Sequence, residues 1–468
     1  MVRNMCICAL VVSAALDGDS LPNGALFRNR AGYVATYNAG GGPIDLTGPF
    51  FQSLGANGRT CGSCHRPAQG WTVSPDELRR RFEFTQGLDP IFRPNDGANC
   101  DHEIDTSTIG GRRQAYSLLL RKGLIRVVLQ VPAAAEFTVV SVINPYGCGD
   151  PASVSVYRRP LPSSNLRFLS AVMWDGRESS PLTGTQSITH DTNPDDLIAD
   201  LRHQSLDATD GHAQALAHLT PEQQHAITVF ELALSTAQAV DDHAGQLNSD
   251  GANGGPEFLA LHTTPAFFIG VNDPLGGNPF GIPFTATIFN LFDAWSHWAA
   301  KGETTDQSVR RASILRGEAL FNSKPISITS VGGLNDDLEM KVIPGTCGTC
   351  HDSPNVGNHS VAAALNIGVA DVDNPLPVNY LPVFTLQNTT TGEIKRTTDP
   401  GRALITGRWK DIGRLKGPIL RGLASRPPYF HNGAAETLAD VIEFYDKRFN
   451  IGLTPQEKKD LEAFLEAL

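Results

Sequence analysis

Two pentapeptides of one format carry the most distinctive chemistry in this chain: Cys61-Gly62-Ser63-Cys64-His65 and Cys347-Gly348-Thr349-Cys350-His351. Two thiols three positions apart, followed at once by an imidazole, match the attachment site of a c-type haem, whose vinyl groups take the thiols and whose iron takes the histidine. A zinc site would need a second pair of ligands, and a redox dithiol would not need the histidine. Two copies therefore predict two covalently bound haem c groups on Cys61, Cys64, Cys347 and Cys350, with His65 and His351 as proximal ligands.

The opposite face of each iron decides between electron transfer and chemistry, because a vacant position admits a substrate. The chain has only four methionines, Met1, Met5, Met173 and Met340, and Met340 lies too close before Cys347 to reach the far side of that haem. A His/Met pair is thus disfavoured there. Further on, Thr437 suits an N-cap, and Leu438, Val441, Ile442 and Tyr445 fall on one helix face. Tyr445 then points inward, as a core tyrosine or as a ligand.

The elements that must hold these groups read as mainly helical. Thr220-Pro221-Glu222-Gln223 and Thr454-Pro455-Gln456-Glu457 each give an N-cap, a proline in the first turn and a capping-box acceptor. The second opens a helix with Leu461, Phe464, Leu465 and Leu468 on one face. A repeated plan, a helix ending in Leu-Phe before each cysteine motif, is expected at Leu26-Phe27 and Leu320-Phe321 and suggests two related domains. Their boundary is expected near Lys301 to Thr305, giving domains at 17–304 and 305–468. Between them in style, an insertion at about 66–158 holds Leu124 to Val131 and Phe137 to Ile143, which read as a hairpin.

Composition narrows the setting. With 41% hydrophobic and 19% charged residues the 468-residue chain reads as globular, and a formal charge of -11 disfavours nucleic acid as a partner. Arg3, the apolar run Met5 to Leu16 and small residues at Ser13, Ala14 and Ala15 resemble a secretory signal over residues 1–16, so export to the periplasm is expected. No stretch is long enough to span a membrane. In an oxidising compartment the leftover Cys100 and Cys148 would pair; two buried thiols are the other reading.

Taken together, the two motifs, Met173-Trp174-Asp175-Gly176-Arg177-Glu178, Leu415-Lys416-Gly417-Pro418-Ile419-Leu420-Arg421 and Pro428-Tyr429-Phe430-His431-Asn432-Gly433 resemble the bacterial dihaem cytochrome c peroxidase and MauG family. The resemblance implies two cytochrome c-like helical domains with a small β-rich insertion in the first. It implies that hydrogen peroxide reacts at the N-terminal haem while the C-terminal haem relays or stores electrons. Trp174 matches the tryptophan the family places between the haems, and Arg177 would lie near haem carboxylates or in a buried ion pair. Tyr445 falls where the family supplies the distal ligand of the C-terminal haem, with His431 as the rival.

The peroxidatic pocket departs from the family pattern. Gln204 is the best match to the family's glutamine, and His212 and Gln214 stand near the position of its acid. His212 could then move the proton and Gln204 hold the leaving hydroxide, with Asp207 or Asp210 as stand-ins. The family's calcium uses an asparagine where this chain has Arg159, so calcium is left open. The donor would be a small cytochrome c or copper protein, unless the enzyme is a MauG-like oxidase acting on a protein substrate. The reading from another class is a dihaem electron carrier.

Overall fold

Gly32-Tyr33-Val34-Ala35-Thr36-Tyr37-Asn38 mixes β-branched and aromatic residues with small ones, and it pairs antiparallel with Leu234–Asp241 from Gly32↔Asp241 to Asn38↔Leu234. Leu26–Arg28 and Gly245–Gln246 complete this four-stranded sheet. The computed structural model describes residues 18–100, 104–148, 153–179, 194–261, 285–296, 305–358 and 363–468. Among them 35% are helical and 19% lie in strands or bridges, in sheets spread over both halves. This corrects the expected mainly helical architecture with strand only in one insertion. The strong caps of the helices advertise themselves in sequence, whereas the strands are only two to eight residues long, too short for a clear period, and two of them, Gly32–Asn38 and Phe137–Ile143, find partners about two hundred or more positions away.

Two further expectations change for the same reason. Ile125–Leu129 and Phe137–Ile143 do not form a hairpin: the first pairs with Val154–Arg158 and the second with Val383–Asn388 in the second half of the chain. Leu26-Phe27, expected to end a helix, lies in a strand, while its counterpart Leu320-Phe321 does lie in helix Asp306–Ser323. The segments expected at 1–16 and around 301–304 fall outside the described residues.

The capped helices form as read. In Pro221–Ala233 and Pro455–Ala467 the hydroxyls of Thr220 and Thr454 accept from the backbone of Gln223 and Glu457, at 3.3 and 3.2 Å. Leu461, Phe464, Leu465 and Leu468 are buried, and this last helix crosses helix Asp306–Ser323 so closely at Gly317 that a Cβ there would sit 2.0 Å from the Asp460 carbonyl oxygen. Cys100 and Cys148 form the expected disulfide.

Strand Val154–Arg158 ends on a buried cation. The Arg158 guanidinium donates to both carboxylate oxygens of Asp399, at 2.7 and 2.9 Å, and to Asp175 at 2.6 Å. Asp175 also takes Arg177 at 3.0 Å, which settles Arg177 in an ion pair. Burial alone would raise the Asp175 and Asp399 carboxyls, but the guanidiniums hold both well below the usual carboxylate range. Removing one partner strands a buried charge. Arg158→Met is therefore expected to cost about 3–5 kcal/mol in urea unfolding. A loss of about 1 kcal/mol or less, the worth of an exposed pair, would show that the network carries no weight.

Candidate cofactor sites

Each cysteine motif folds as one 3₁₀ turn, Cys61–Ser63 and Cys347–Thr349, closed by a threonine before it. The Thr60 backbone donates to the Ser63 hydroxyl at 3.0 Å and Thr346 to the Thr349 hydroxyl at 2.9 Å. This places two thiols and an imidazole on one side of the turn. The Nδ1 of His65 meets the Trp71 carbonyl at 2.9 Å, and the Nδ1 of His351 meets the Gly357 carbonyl at 2.7 Å. A carbonyl can only accept, so Nδ1 carries the proton and Nε2 is the lone-pair atom in both rings.

The first motif is positioned by the four-stranded sheet through Trp71, whose indole donates to Thr36 at 2.7 Å while its carbonyl accepts from His65. Burial lowers the His65 pKa to about 4, which keeps the ring neutral as an iron ligand requires. Burial pushes the Cys61 and Cys347 thiols up to about 12. None of the four motif cysteines is in a disulfide.

The second motif opens into a cavity of about 250 Å³ that Cys347, Cys350, His351, Trp174 and Tyr445 line together. Most of its wall is apolar. Among the described residues its lining includes Arg159, Lys324, Lys416 and Arg426 and no carboxylate. Lys416 is buried, its Nζ reaches only the Gly417 carbonyl at 3.4 Å, and burial lowers its pKa to about 8. Lys324 is paired with Glu457 at 2.6 Å, whereas Arg159, Lys416 and Arg426 meet only backbone carbonyls; apolar walls with such cations fit a flat macrocycle bearing two carboxylates, so the residues present suit a haem.

Tyr445 enters this cavity from helix Leu438–Phe449, whose Thr437 cap accepts from Asp440 at 3.1 Å. Its ring packs against Phe430, Phe444 and Phe449. Burial, with the thiols of Cys350 and Cys347, raises its pKa, so the hydroxyl stays protonated unless a cation faces it. His431 lines the cavity too. It lies edge-on to Trp174 at 6.1 Å, and its Nε2 is 3.7 Å from Asp399. Burial lowers its pKa to about 4.

Trp174 is held from both sides: its indole donates to the Arg159 carbonyl at 2.7 Å, and its own carbonyl accepts from Lys416 at 2.6 Å. The Arg159 guanidinium donates to the carbonyls of Lys122, Val73 and Arg426, at 2.9, 2.8 and 3.3 Å. Burial, and then Arg426, lower its pKa to about 9.

Gln204 and His212 share helix Pro194–His212, about two turns apart. His212 Nδ1 bonds the buried Asp96 carboxylate, which also takes Arg59. Burial alone would raise Asp96, but His212 and Arg59 hold it below the usual range. His212 lies close enough to His65 to depress its pKa. Gln214 accepts from Asn57 at 3.3 Å, and the stand-ins are engaged elsewhere, Asp207 4.0 Å from His203 and Asp210 on His218 at 2.8 Å. Sequence reading missed Asp96, which sits in the insertion without a motif. It also missed Glu231, a buried carboxyl beside Cys61 whose Oε2 has no hydrogen bond and which burial raises to about 8.

No family model matches the chain. It is similar to the cytochrome-c peroxidase IdrP1 of Denitromonas iodatirespirans, 29% identical over 194 residues that cover 38% of this chain and 44% of the relative. IdrP1 of Pseudomonas sp. (strain SCT) is 28% identical over 183 residues, 35% of this chain and 41% of the relative. The cytochrome-c peroxidase IdrP2 of Denitromonas iodatirespirans is 32% identical over 144 residues, 28% of this chain and 38% of the relative. The chain thus spans about two fifths of the length of the curated relatives it matches. Among solved structures, a MauG-like protein associated with microbial copper homeostasis matches 90% of this chain and 85% of its own at 15% identity, with a TM-score of 0.37. The two attachment motifs, the Trp174 turn and the peroxidase relatives together relate this chain to the bacterial dihaem cytochrome c peroxidase and MauG family.

Proposed function

We propose that the chain is an exported dihaem c-type peroxidase that reduces hydrogen peroxide at a haem on His65, with a haem on His351 as electron relay or store. The observation that carries the reading is one apolar cavity shared by Cys347, Cys350, His351, Tyr445 and Trp174, lined by cations without a carboxylate. Cys61 and Cys64 would tether the first haem and Cys347 and Cys350 the second. When bound, the haem irons supply the centre at which peroxide takes two electrons and the store from which they come.

The chain's own residues account for the rest. Reduction of hydrogen peroxide to two waters consumes two electrons and two protons, and one proton must pass between the two oxygens as their bond breaks. His212, its Nδ1 proton held by Asp96, offers Nε2 as the base, and Gln204 offers an amide donor to the departing hydroxide. Trp174 is the aromatic bridge between the two cofactors. Tyr445 would complete the second iron, whose charge offsets the cost that burial places on an ionised phenol. Arg159 takes the carbonyl of Arg426 that a calcium would otherwise use.

Tyr445 also supports a second reading, a MauG-like oxidase that modifies a protein side chain. Rapid turnover with a reduced small cytochrome or copper protein separates the peroxidase from it. A carrier with both irons capped would show no high-spin ferric signal and no response to peroxide. Among the described residues no helix is long and apolar enough to cross a membrane.

The test is a peroxide titration of the purified chain from a cytochrome c-maturing host, followed by absorption and EPR. Two haems per chain by mass are expected, and a mass equal to the polypeptide alone would end the proposal. His212→Leu is expected to slow the peroxide reaction by about 10²–10⁴-fold with haem content intact. In Tyr445→Phe the haem content should hold while the spectrum of the second haem changes; an unchanged spectrum rejects Tyr445 as a ligand.

A further inference from the structure

The turn that carries Trp174 closes on itself where Val172 donates to the Glu178 carbonyl at 2.8 Å. At that closure the Glu178 side chain turns inward and is almost wholly buried, 1% exposed. Its Oε2 meets Nδ1 of His203 at 2.7 Å. His203 belongs to helix Pro194–His212, one residue before Gln204 and nine before His212. Leu197 and Leu201 of the same helix belong to one apolar cluster with Val172, against which Met173 packs, so turn and helix share a hydrophobic core as well as this polar contact.

We propose that Glu178 and His203 are positioning residues: their ion pair locks the Trp174 turn in register with the helix that carries Gln204 and His212. This rests on the function proposed above and deepens it, since electron entry through Trp174 and proton movement at His212 must serve one peroxide. Apolar contact alone leaves sliding room. A charge-assisted hydrogen bond to a buried carboxylate fixes distance and direction together.

The pair is ionised only within a window of pH. Burial would lower the His203 pKa, but the hydrogen bond it donates to Glu178 and the charge of that carboxylate, with Asp207 and Asp200, raise it above the ordinary value. Burial raises the Glu178 pKa, and His203 and Arg177 only partly offset that. The pair is therefore lost below the raised Glu178 pKa, where the carboxyl gains a proton, and above the raised His203 pKa, where the ring loses one. The groups facing it are Arg177 from the turn and Asp200 and Asp207 from the helix. His225, from the neighbouring helix Pro221–Ala233, is taken by Arg202 at 3.0 Å.

Two measurements on the holoprotein in EDTA test this from pH 5 to 9: the rate constant of the peroxide reaction, and amide exchange of residues 172–178 corrected for its intrinsic pH dependence. In the native chain both should follow a bell, with fastest reaction and strongest protection where the pair is ionised. Glu178→Gln should flatten the amide-exchange profile, remove the alkaline limb of the rate profile and slow the reaction by about 10- to 100-fold. His203→Lys, charged throughout the range, should keep the acid limb and lose the alkaline one. A native profile with no alkaline limb, or a His203→Lys profile that copies the native one, overturns the proposal. If the native chain ignores peroxide at every pH, the functional reading falls, and amide exchange alone then decides whether the lock exists.

Discussion

Everything between the two cysteine motifs hangs on a guanidinium that has no access to water. Arg158 sits between Asp175, next to Trp174, and Asp399, in the second half of the chain, so one side chain fixes the bridging turn relative to the His351 cavity. Two guanidiniums, Arg158 and Arg177, balance two carboxylates, so the cluster is close to neutral. That balance matters because burying an ion costs several kcal/mol, and only good geometry with several hydrogen bonds offsets it. Such a cluster tolerates one arrangement and penalises the rest.

Arg158 comes from the segment that sequence reading treats as an insertion, and so does the Cys100–Cys148 disulfide. Strand Val154–Arg158 delivers Arg158 into the network, and strand Phe137–Ile143 joins the sheet of Val383–Asn388. The insertion also supplies Asp96 to His212. It therefore builds the space between the candidate sites instead of decorating it. Arg159 extends the same logic: its buried guanidinium gathers the backbone carbonyls of Lys122, Val73 and Arg426, at a desolvation cost that shows in its lowered pKa.

The parts of this structure legible in the sequence are those whose physics is local. The cysteine motifs, the threonine caps with their capping boxes and the apolar face of the last helix each depend on neighbours within a turn or two. Tyr445 could be placed on its face because helix Leu438–Phe449 has a clear cap and period. The strands could not, since Leu234–Asp241 becomes a strand only by meeting Gly32–Asn38 some two hundred residues away. Asp96 is the sharpest case: the expected acid was sought ten residues past Gln204, whereas the carboxylate arrives from a different part of the chain and bonds the histidine instead.

Placement of charge also separates the two candidate sites chemically. At the second, Arg159, Lys324, Lys416 and Arg426 line an apolar cavity with no carboxylate among its described lining residues, a setting that suits an anionic group. Near the first lie His212 bonded to Asp96, Arg59 on the same carboxylate, and Glu231, which burial raises to about 8. A site that only passes electrons gains nothing from movable protons, because each would couple its potential to pH. A site that breaks an oxygen–oxygen bond must have them. The carboxyls Asp96 and Glu231 lie near His65, whereas Arg159, Lys324, Lys416 and Arg426 line the cavity at His351, and this unlike placement of charge fits the proposed peroxide reduction.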